Sequence, residues 1–163
     1  MILIAAFSRL LTNAFHLWNF TPIVAMALFS GATIRDKKLA FLVPLVAMVI
    51  TDAFLGFYDG IFVVYFTLLA ITMFGFLLQN RIKPLTVIGG SLGSSVIFYL
   101  ITNFALIYPT WLYPHTMDGI IKSYTMAIPF FRNAIVGDLI YSAILFGSYE
   151  LIKRTILAPE KAA

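Results

Sequence analysis

The residues of this chain that could do chemistry are a few ionisable and amide side chains within or beside long apolar segments. An ionisable side chain in such a segment is costly to bury, so it indicates a functional site. An arginine offers a fixed fork of donors to an anionic or carbonyl group, and carboxylates can orient that arginine or accept donors from a ligand. The predicted polar lining of a solute site is Asn19, Asp52, Asn103, His115, Arg132, Asn133 and Asp138.

Each of these residues also has a structural explanation. Arg132 paired with Asp138 or Asp52 would hold helices together without any ligand. Asn133 and Asp138 stand early in their segment, where amides and carboxylates favour a helix start, and Asn19 comes shortly before Pro22. For a single residue the structural role is favoured, whereas the concentration of all of them at one depth and on one side favours a binding site.

Several chemistries are excluded or disfavoured. The chain has no cysteine, so disulfides, thiolate catalysis and Cys-ligated metals are absent. His16 and His115 lack the paired spacing of a zinc site. No ATP-binding motif and no nucleophile–base–acid set at recognisable spacing is present, so a membrane enzyme would require Asp52, His115 and Asp138 to meet in space. We predict no metal, no cofactor and no enzymatic activity.

The composition indicates a membrane protein. Of the 163 residues, 61% are hydrophobic and 11% are charged, whereas a soluble domain carries about 25% charged residues. Basic residues occur in short groups between apolar runs, not as the clustered stripe of a nucleic-acid surface. The apolar excess therefore faces lipid, in an all-α polytopic fold.

The apolar runs predict six transmembrane helices, or five if the first run lies in the interface, because a spanning helix needs about 20 residues. The basic groups fall on alternate connections, which places them and both termini in the cytoplasm by the positive-inside rule. The predicted segments are Met1–Phe15, Pro22–Ile34, Leu39–Gly56, Ile61–Gln79, Pro84–Tyr108 and Phe131–Ile152.

The long connection 109–130 is predicted to cover the outer mouth of a single domain, 1–163. It contains an amphipathic stretch, Met117–Ile128, expected to form a short helix across that mouth. Trp111, Tyr113 and Tyr124 would supply apolar walls of the solute site.

Two small-residue spacings predict close helix contacts. They are Ala27 with Gly31, and Gly89 with Gly93, each pair one helical turn apart. The spacing leaves open whether the contact is internal or is made with a partner subunit.

Several motifs resemble a family of small bacterial inner-membrane proteins without an assigned activity, over roughly residues 9–154. They are Asn19-Phe20-Thr21-Pro22, Tyr113-Pro114-His115-Thr116 and Pro129-Phe130-Phe131-Arg132-Asn133.

The layout is in turn similar to the substrate-binding S components of energy-coupling-factor vitamin transporters. That resemblance implies six helices, both termini inside, an outer ligand pocket, and association with a transmembrane coupling subunit and ATPases. We therefore expect a protein of the bacterial inner membrane that captures a small, vitamin-like solute from outside. The alternative is an accessory subunit of a larger respiratory or photosynthetic complex, packing against lipid, quinone or pigment.

Overall fold

The computed structural model describes residues 2–15 and 19–157, and this part of the chain is helical with no strand. Short 3-10 turns follow the fourth helix, at Phe76–Leu78, and the fifth, at Ala105–Ile107. The helices are α1 (Ile2–Ala14), α2 (Ile23–Thr33), α3 (Lys37–Leu55), α4 (Ile61–Gly75), α5 (Pro84–Thr102) and α6 (Met117–Leu157).

The short helix α2 is the centre of the bundle. All of its residues from Ile23 to Ala32 are buried, and it packs against each of the other helices. A helix that is hydrophobic on every side is stable only when it is enclosed. This explains why 11 residues suffice for a segment that is too short to cross a bilayer of about 30 Å.

Helices α2 and α4 approach each other at backbone distance through Gly31 and Gly75. A Cβ added at Gly75 would lie 2.6 Å from the carbonyl oxygen of Leu28, and one added at Gly31 would overlap the carbonyl oxygen of Thr72. Neither position can carry a side chain without moving a helix. Small residues at a crossing of this kind allow membrane helices to pack closely.

A proline inside α3 is compensated by a side chain from α2. Pro44 has no N–H, so the carbonyl of Ala40 lacks its donor one turn ahead. The buried hydroxyl of Ser30 donates to that carbonyl at 2.6 Å. The contact satisfies a backbone group that neither water nor lipid could reach.

Replacing Ser30 by alanine is therefore expected to cost about 1–3 kcal/mol of unfolding free energy, since a buried carbonyl loses its partner. Thermal unfolding of the detergent-purified protein measures the loss. Ser95 is another buried serine, but Ser95→Ala is not a suitable control, because it would also remove a hydrogen bond to the carboxylate of Asp138. The better control is Pro44→Ala with Ser30→Ala, in which the new N–H at 44 should restore most of the stability; no recovery would contradict the explanation.

The outward faces of the long helices are apolar. Phe62, Leu85 and Leu151 are among the large hydrophobic side chains that are more than two-thirds exposed. Segments long and apolar enough to cross a membrane are Lys37–Leu55, Ile61–Leu78, Pro84–Thr102 and Met117–Thr155, with Ile23–Thr33 as a shorter apolar helix. Residues 2–15 and 19–157 thus form an all-helical fold with four such segments. A count of six rests on α1 and α2 as well, and both are shorter.

The bundle has two chemically different ends. The basic end carries the α2–α3 connection, the α4–α5 connection and the last turns of α6, with Arg35, Arg81, Lys83 and Arg154. The opposite end, called the cavity end below, carries the start of α2, the α3–α4 connection and the end of α5.

Helix α5 ends earlier than the apolar run predicts, at Thr102 instead of near Tyr108. The amide nitrogen of Asn103 donates to the carbonyl of Tyr99 at 2.9 Å, and the Tyr108 hydroxyl donates to the carbonyl of Thr102. Side chains that bond the last carbonyls of a helix offer the backbone an alternative to continuing it.

Helix α6 differs most from the prediction. The stretch 117–128 is not a separate helix, because it continues through Pro129 into the last segment. The start is marked by Thr116, whose hydroxyl accepts the N–H of Gly119 at 3.3 Å. A helix of 41 residues is about 60 Å long, about twice the hydrocarbon thickness, so part of α6 extends beyond the apolar layer.

Candidate functional site

A cavity of about 480 Å³ lies at the cavity end of the bundle. Its walls come from α2, α4, α5 and α6, together with Arg9 of α1 and Tyr58 of the α3–α4 connection. The α6 wall is one helical face, formed by residues three or four apart. Those residues are Ala127, Phe130, Phe131, Ala134 and Asp138.

The first charged site at the cavity is the buried ion pair of Arg9 and Asp52. Arg9 Nη1 lies 2.5 Å from Asp52 Oδ1, and it also donates to the Thr51 hydroxyl at 2.8 Å. The other oxygen of Asp52 accepts the Tyr65 hydroxyl at 2.7 Å. Asp52 is completely buried, so this pair joins α1, α3 and α4, and Arg9 is the member that reaches the cavity wall.

The second charged group is Asp138, which is 2% exposed and lines the cavity. Its Oδ2 accepts the hydroxyl of Ser95 at 2.6 Å. One turn closer to the basic end of the bundle, the Ser142 hydroxyl donates to that of Ser91 at 3.2 Å. Within residues 2–15 and 19–157, no basic side chain lies within 4 Å of the Asp138 carboxylate.

Aromatic rings and amides complete the lining. Tyr99 and Phe131 stack with ring centroids 4.3 Å apart. Burial raises the pKa of Tyr108, and burial together with the Asp52 carboxylate raises that of Tyr58. Both phenols therefore remain neutral donors near pH 7. The remaining polar lining includes the amides of Asn19 and Asn103.

The predicted lining residues separate into two groups. Asn19, Asn103 and Asp138 line the cavity, and Asp52 stands directly behind it, bonded to Arg9. Arg132 lies on the same helix as Asp138 but is exposed and does not line the cavity. Positions 132 and 138 are six residues apart, about 120° around a helix, and neither Asp52 nor Asp138 forms an ion pair with Arg132 among the described residues. The structural alternative in which Arg132 pairs with one of these carboxylates is thus not found: Arg9 is the partner of Asp52.

The predicted wall residues lie outside the cavity. Trp111 is 82% exposed. His115 is also exposed. Its Nε2 lies 2.9 Å from the carbonyl of Tyr108, so the contact joins the two ends of the 109–116 connection. Tyr113 packs edge-on against Tyr108. Tyr124 joins α6 to the end of α5. Its hydroxyl donates to the carbonyl of Leu100 at 2.7 Å, and its own carbonyl accepts the Tyr99 hydroxyl.

Asn133 and His16 are the remaining candidates from the sequence. Asn133 is exposed but has an interaction partner. His16 lies outside the described residues. Among the residues that the structure describes, no group of three or more His, Asp or Glu is placed to hold a metal ion.

The small-residue pairs also differ from each other. Ala27 and Gly31 are buried inside the chain, Gly31 against α4, so they are not available to a partner subunit. Gly93 packs against the ring of Phe74, where an added Cβ would lie 3.1 Å away. Gly89 is exposed with open space around it.

Arg9, Ser95 and the aromatic residues of the wall are missing from the residues predicted above. An arginine inside an apolar segment is itself a signal of function, and it could have identified Arg9. Ser95 and Tyr99 have no such signal, because hydroxyl and aromatic residues are common in helix interiors and only the packing of α5 on α6 selects these.

The fold and the cavity define a class: all-helical proteins with segments able to cross a membrane and a partly polar cavity at one end of the bundle. A family model described as a family of unknown function, DUF6580, matches residues 1–161. The chain belongs to this family. No curated protein and no solved structure matches it significantly, and the family match carries no activity and no link to energy-coupling-factor S components.

Proposed function

We propose that this protein is a solute-binding component of a membrane transport system, and that it captures a small molecule in the cavity at its cavity end. The observation that carries the proposal is the cavity itself. Its volume of about 480 Å³ falls in the range of small-molecule sites, about 300–1,000 Å³. Its walls are mostly apolar and aromatic with a few polar groups, which is the usual composition of such sites.

The charge distribution supports an outward-facing cavity. The basic connections lie at the other end of the bundle, and basic connections face the cytoplasm in most membrane proteins. On that orientation the solute enters from outside a bacterial cytoplasmic membrane. The arrangement is similar to that expected for S components, and uptake would then need a coupling subunit with ATPases as the energy source.

The first turns of α6 support a role as a cover. Ser123 and Ala127 are buried, and the paired bonds between Tyr99, Leu100 and Tyr124 attach this part of α6 to the end of α5. Pro129 follows these attached turns and precedes most of the α6 cavity wall, from Phe130 to Asp138. A proline interrupts the hydrogen-bond ladder of a helix, so it provides a point at which the cover and the wall can move separately.

Filling the cavity tests the proposal. Ala134→Trp places a large ring inside it, whereas Val136→Trp places the same ring on the exposed face of the same helix, where Val136 is 51% exposed. Mass spectrometry of small molecules that co-purify with the detergent-extracted protein is the measurement. We expect a solute to co-purify with the unchanged chain and with Val136→Trp. With Ala134→Trp the amount of co-purified solute should fall at least about tenfold, because the new ring occupies the space that the solute needs.

The experiment also has results that would contradict a solute-binding role. Monodisperse elution in size-exclusion chromatography establishes that each variant is folded, and Ala127→Leu is a milder filling of the same cavity. If all variants retain the same solute, the molecule binds elsewhere. If only lipid or the subunits of a larger complex co-purify, the accessory-subunit function replaces the proposed one.

A further inference from the structure

The charge of the cavity is unbalanced. Arg9 and Asp52 neutralise each other at 2.5 Å, which leaves the carboxylate of Asp138 as the uncompensated charge among the described residues. A buried carboxylate is costly unless it is paired with a cation or carries a proton. The hydroxyl of Ser95 supplies one hydrogen bond to Oδ2 but no charge.

The position of this carboxylate is suited to a ligand. Asp138 lines the cavity, although only 2% of the residue is exposed. Within residues 2–15 and 19–157, Oδ2 accepts the Ser95 hydroxyl and Oδ1 has no hydrogen-bond donor, which leaves Oδ1 for a group of the solute. A carboxylate with one oxygen held by a serine of the neighbouring helix is restricted in orientation before a ligand arrives.

The rings around the cavity favour the same sign of charge. Phe98, Tyr99, Phe130 and Phe131 line it together with Tyr58 and Tyr108. The face of an aromatic ring carries a negative potential that attracts cations. A ring face turned towards the cavity would repel an anion, as would the Asp138 carboxylate.

We propose that the solute of this cavity is a small organic cation, an amine or quaternary ammonium whose charged nitrogen lies beside Asp138 among the aromatic rings. This inference rests on the proposed function and narrows its substrate class. Arg9 also lines the cavity, and its remaining guanidinium donors would serve a hydroxyl or carbonyl oxygen of the same solute. Arg132, on the exposed side of α6, takes no part in recognition.

Three probes of nearly equal shape test the sign of the charge: choline, the neutral 3,3-dimethylbutan-1-ol and the anionic 3,3-dimethylbutanoate. Binding to the full chain in detergent is measured by titration calorimetry, with ligand-induced thermal stabilisation as a second readout. We expect choline to bind at least about tenfold more tightly than the alcohol, which corresponds to about 1.4 kcal/mol, because the Asp138 carboxylate attracts the quaternary ammonium and not the neutral carbon that replaces it. The carboxylate should not bind.

The matched variants are Asp138→Asn and Asp118→Asn, which remove one carboxylate each from α6; Asp118 is exposed and outside the cavity. Asp138→Asn should abolish the preference for choline over the alcohol, and Asp118→Asn should retain it. Equal affinities for choline and the alcohol would mean that Asp138 is protonated and neutral, which overturns the inference. Preference for the carboxylate would also overturn it.

The test separates the inference from the proposed function. A neutral or anionic probe that binds and is displaced by Ala134→Trp leaves the cavity as a solute site and rejects only the cation. If no probe binds, the solute that co-purifies decides: a cation released by Asp138→Asn supports the inference, and a neutral or anionic solute rejects it. If no solute and no probe binds, both fail together.

Discussion

Replacing Arg9 by methionine is expected to destabilise the folded protein by about 3–5 kcal/mol, because it leaves the carboxylate of Asp52 buried without a cation. Asp52 is fully buried, and Arg9 Nη1 lies 2.5 Å from its Oδ1. The remaining partner, the Tyr65 hydroxyl, donates a hydrogen bond but carries no charge. Chemical or thermal unfolding of the purified protein, followed by circular dichroism, measures the loss.

A double variant separates the loss of charge balance from the loss of packing. Arg9→Met combined with Asp52→Asn removes both charges, and the new amide oxygen can still accept from Tyr65. We expect this variant to recover most of the stability, because a buried ion pair is often no better than a neutral pair of similar volume. A cost below about 1 kcal/mol for Arg9→Met alone is the range of exposed pairs, and it would show that water reaches Asp52.

The second large effect is expected at Gly31, where alanine should cost about 3 kcal/mol or more. The added methyl group would overlap the carbonyl oxygen of Thr72 and lie 3.1 Å from the Cα of Gly75. These are backbone atoms of α4, so no side chain can rotate to make room. Helix α2 is buried at the centre of the bundle and packs against every other helix, so moving it away from α4 disturbs all of these contacts. The midpoint of thermal unfolding and the yield of monodisperse protein measure the effect.

Gly89→Ala is the matched control on α5. Nothing lies within 4 Å of a Cβ added there, and alanine is favoured over glycine in a helix interior by up to about 1 kcal/mol. This variant should be as stable as the unchanged chain or slightly more stable. If Gly31→Ala and Gly89→Ala behave alike, the close approach of α2 and α4 is not present in the protein.

The sequence by itself determined the helical class and the ends of the bundle. Apolar runs of about 20 residues can satisfy their backbone groups in lipid only as helices. Pro22, Pro84 and the Asp59-Gly60 turn mark three of the breaks. The grouping of basic residues on alternate connections distinguishes one end of the bundle from the other before any coordinates are known, because it depends only on the order of the chain. Asn19, Asn103 and Asp138 belong to the non-basic end for the same reason.

Only the tertiary structure decided which of these groups meet. Sequence order places Arg132 near Asp138, but positions six residues apart on a helix differ by about 120° around its axis, so the two side chains diverge. Arg9 and Asp52 are 43 residues apart, and they meet because α1 packs on α3. The burial of α2 likewise depends on the glycine crossing with α4, and bonds of Tyr124 to Tyr99 and Leu100 attach the start of α6 to the end of α5. Pairing between distant segments is set by packing, and spacing along one segment carries no information about it.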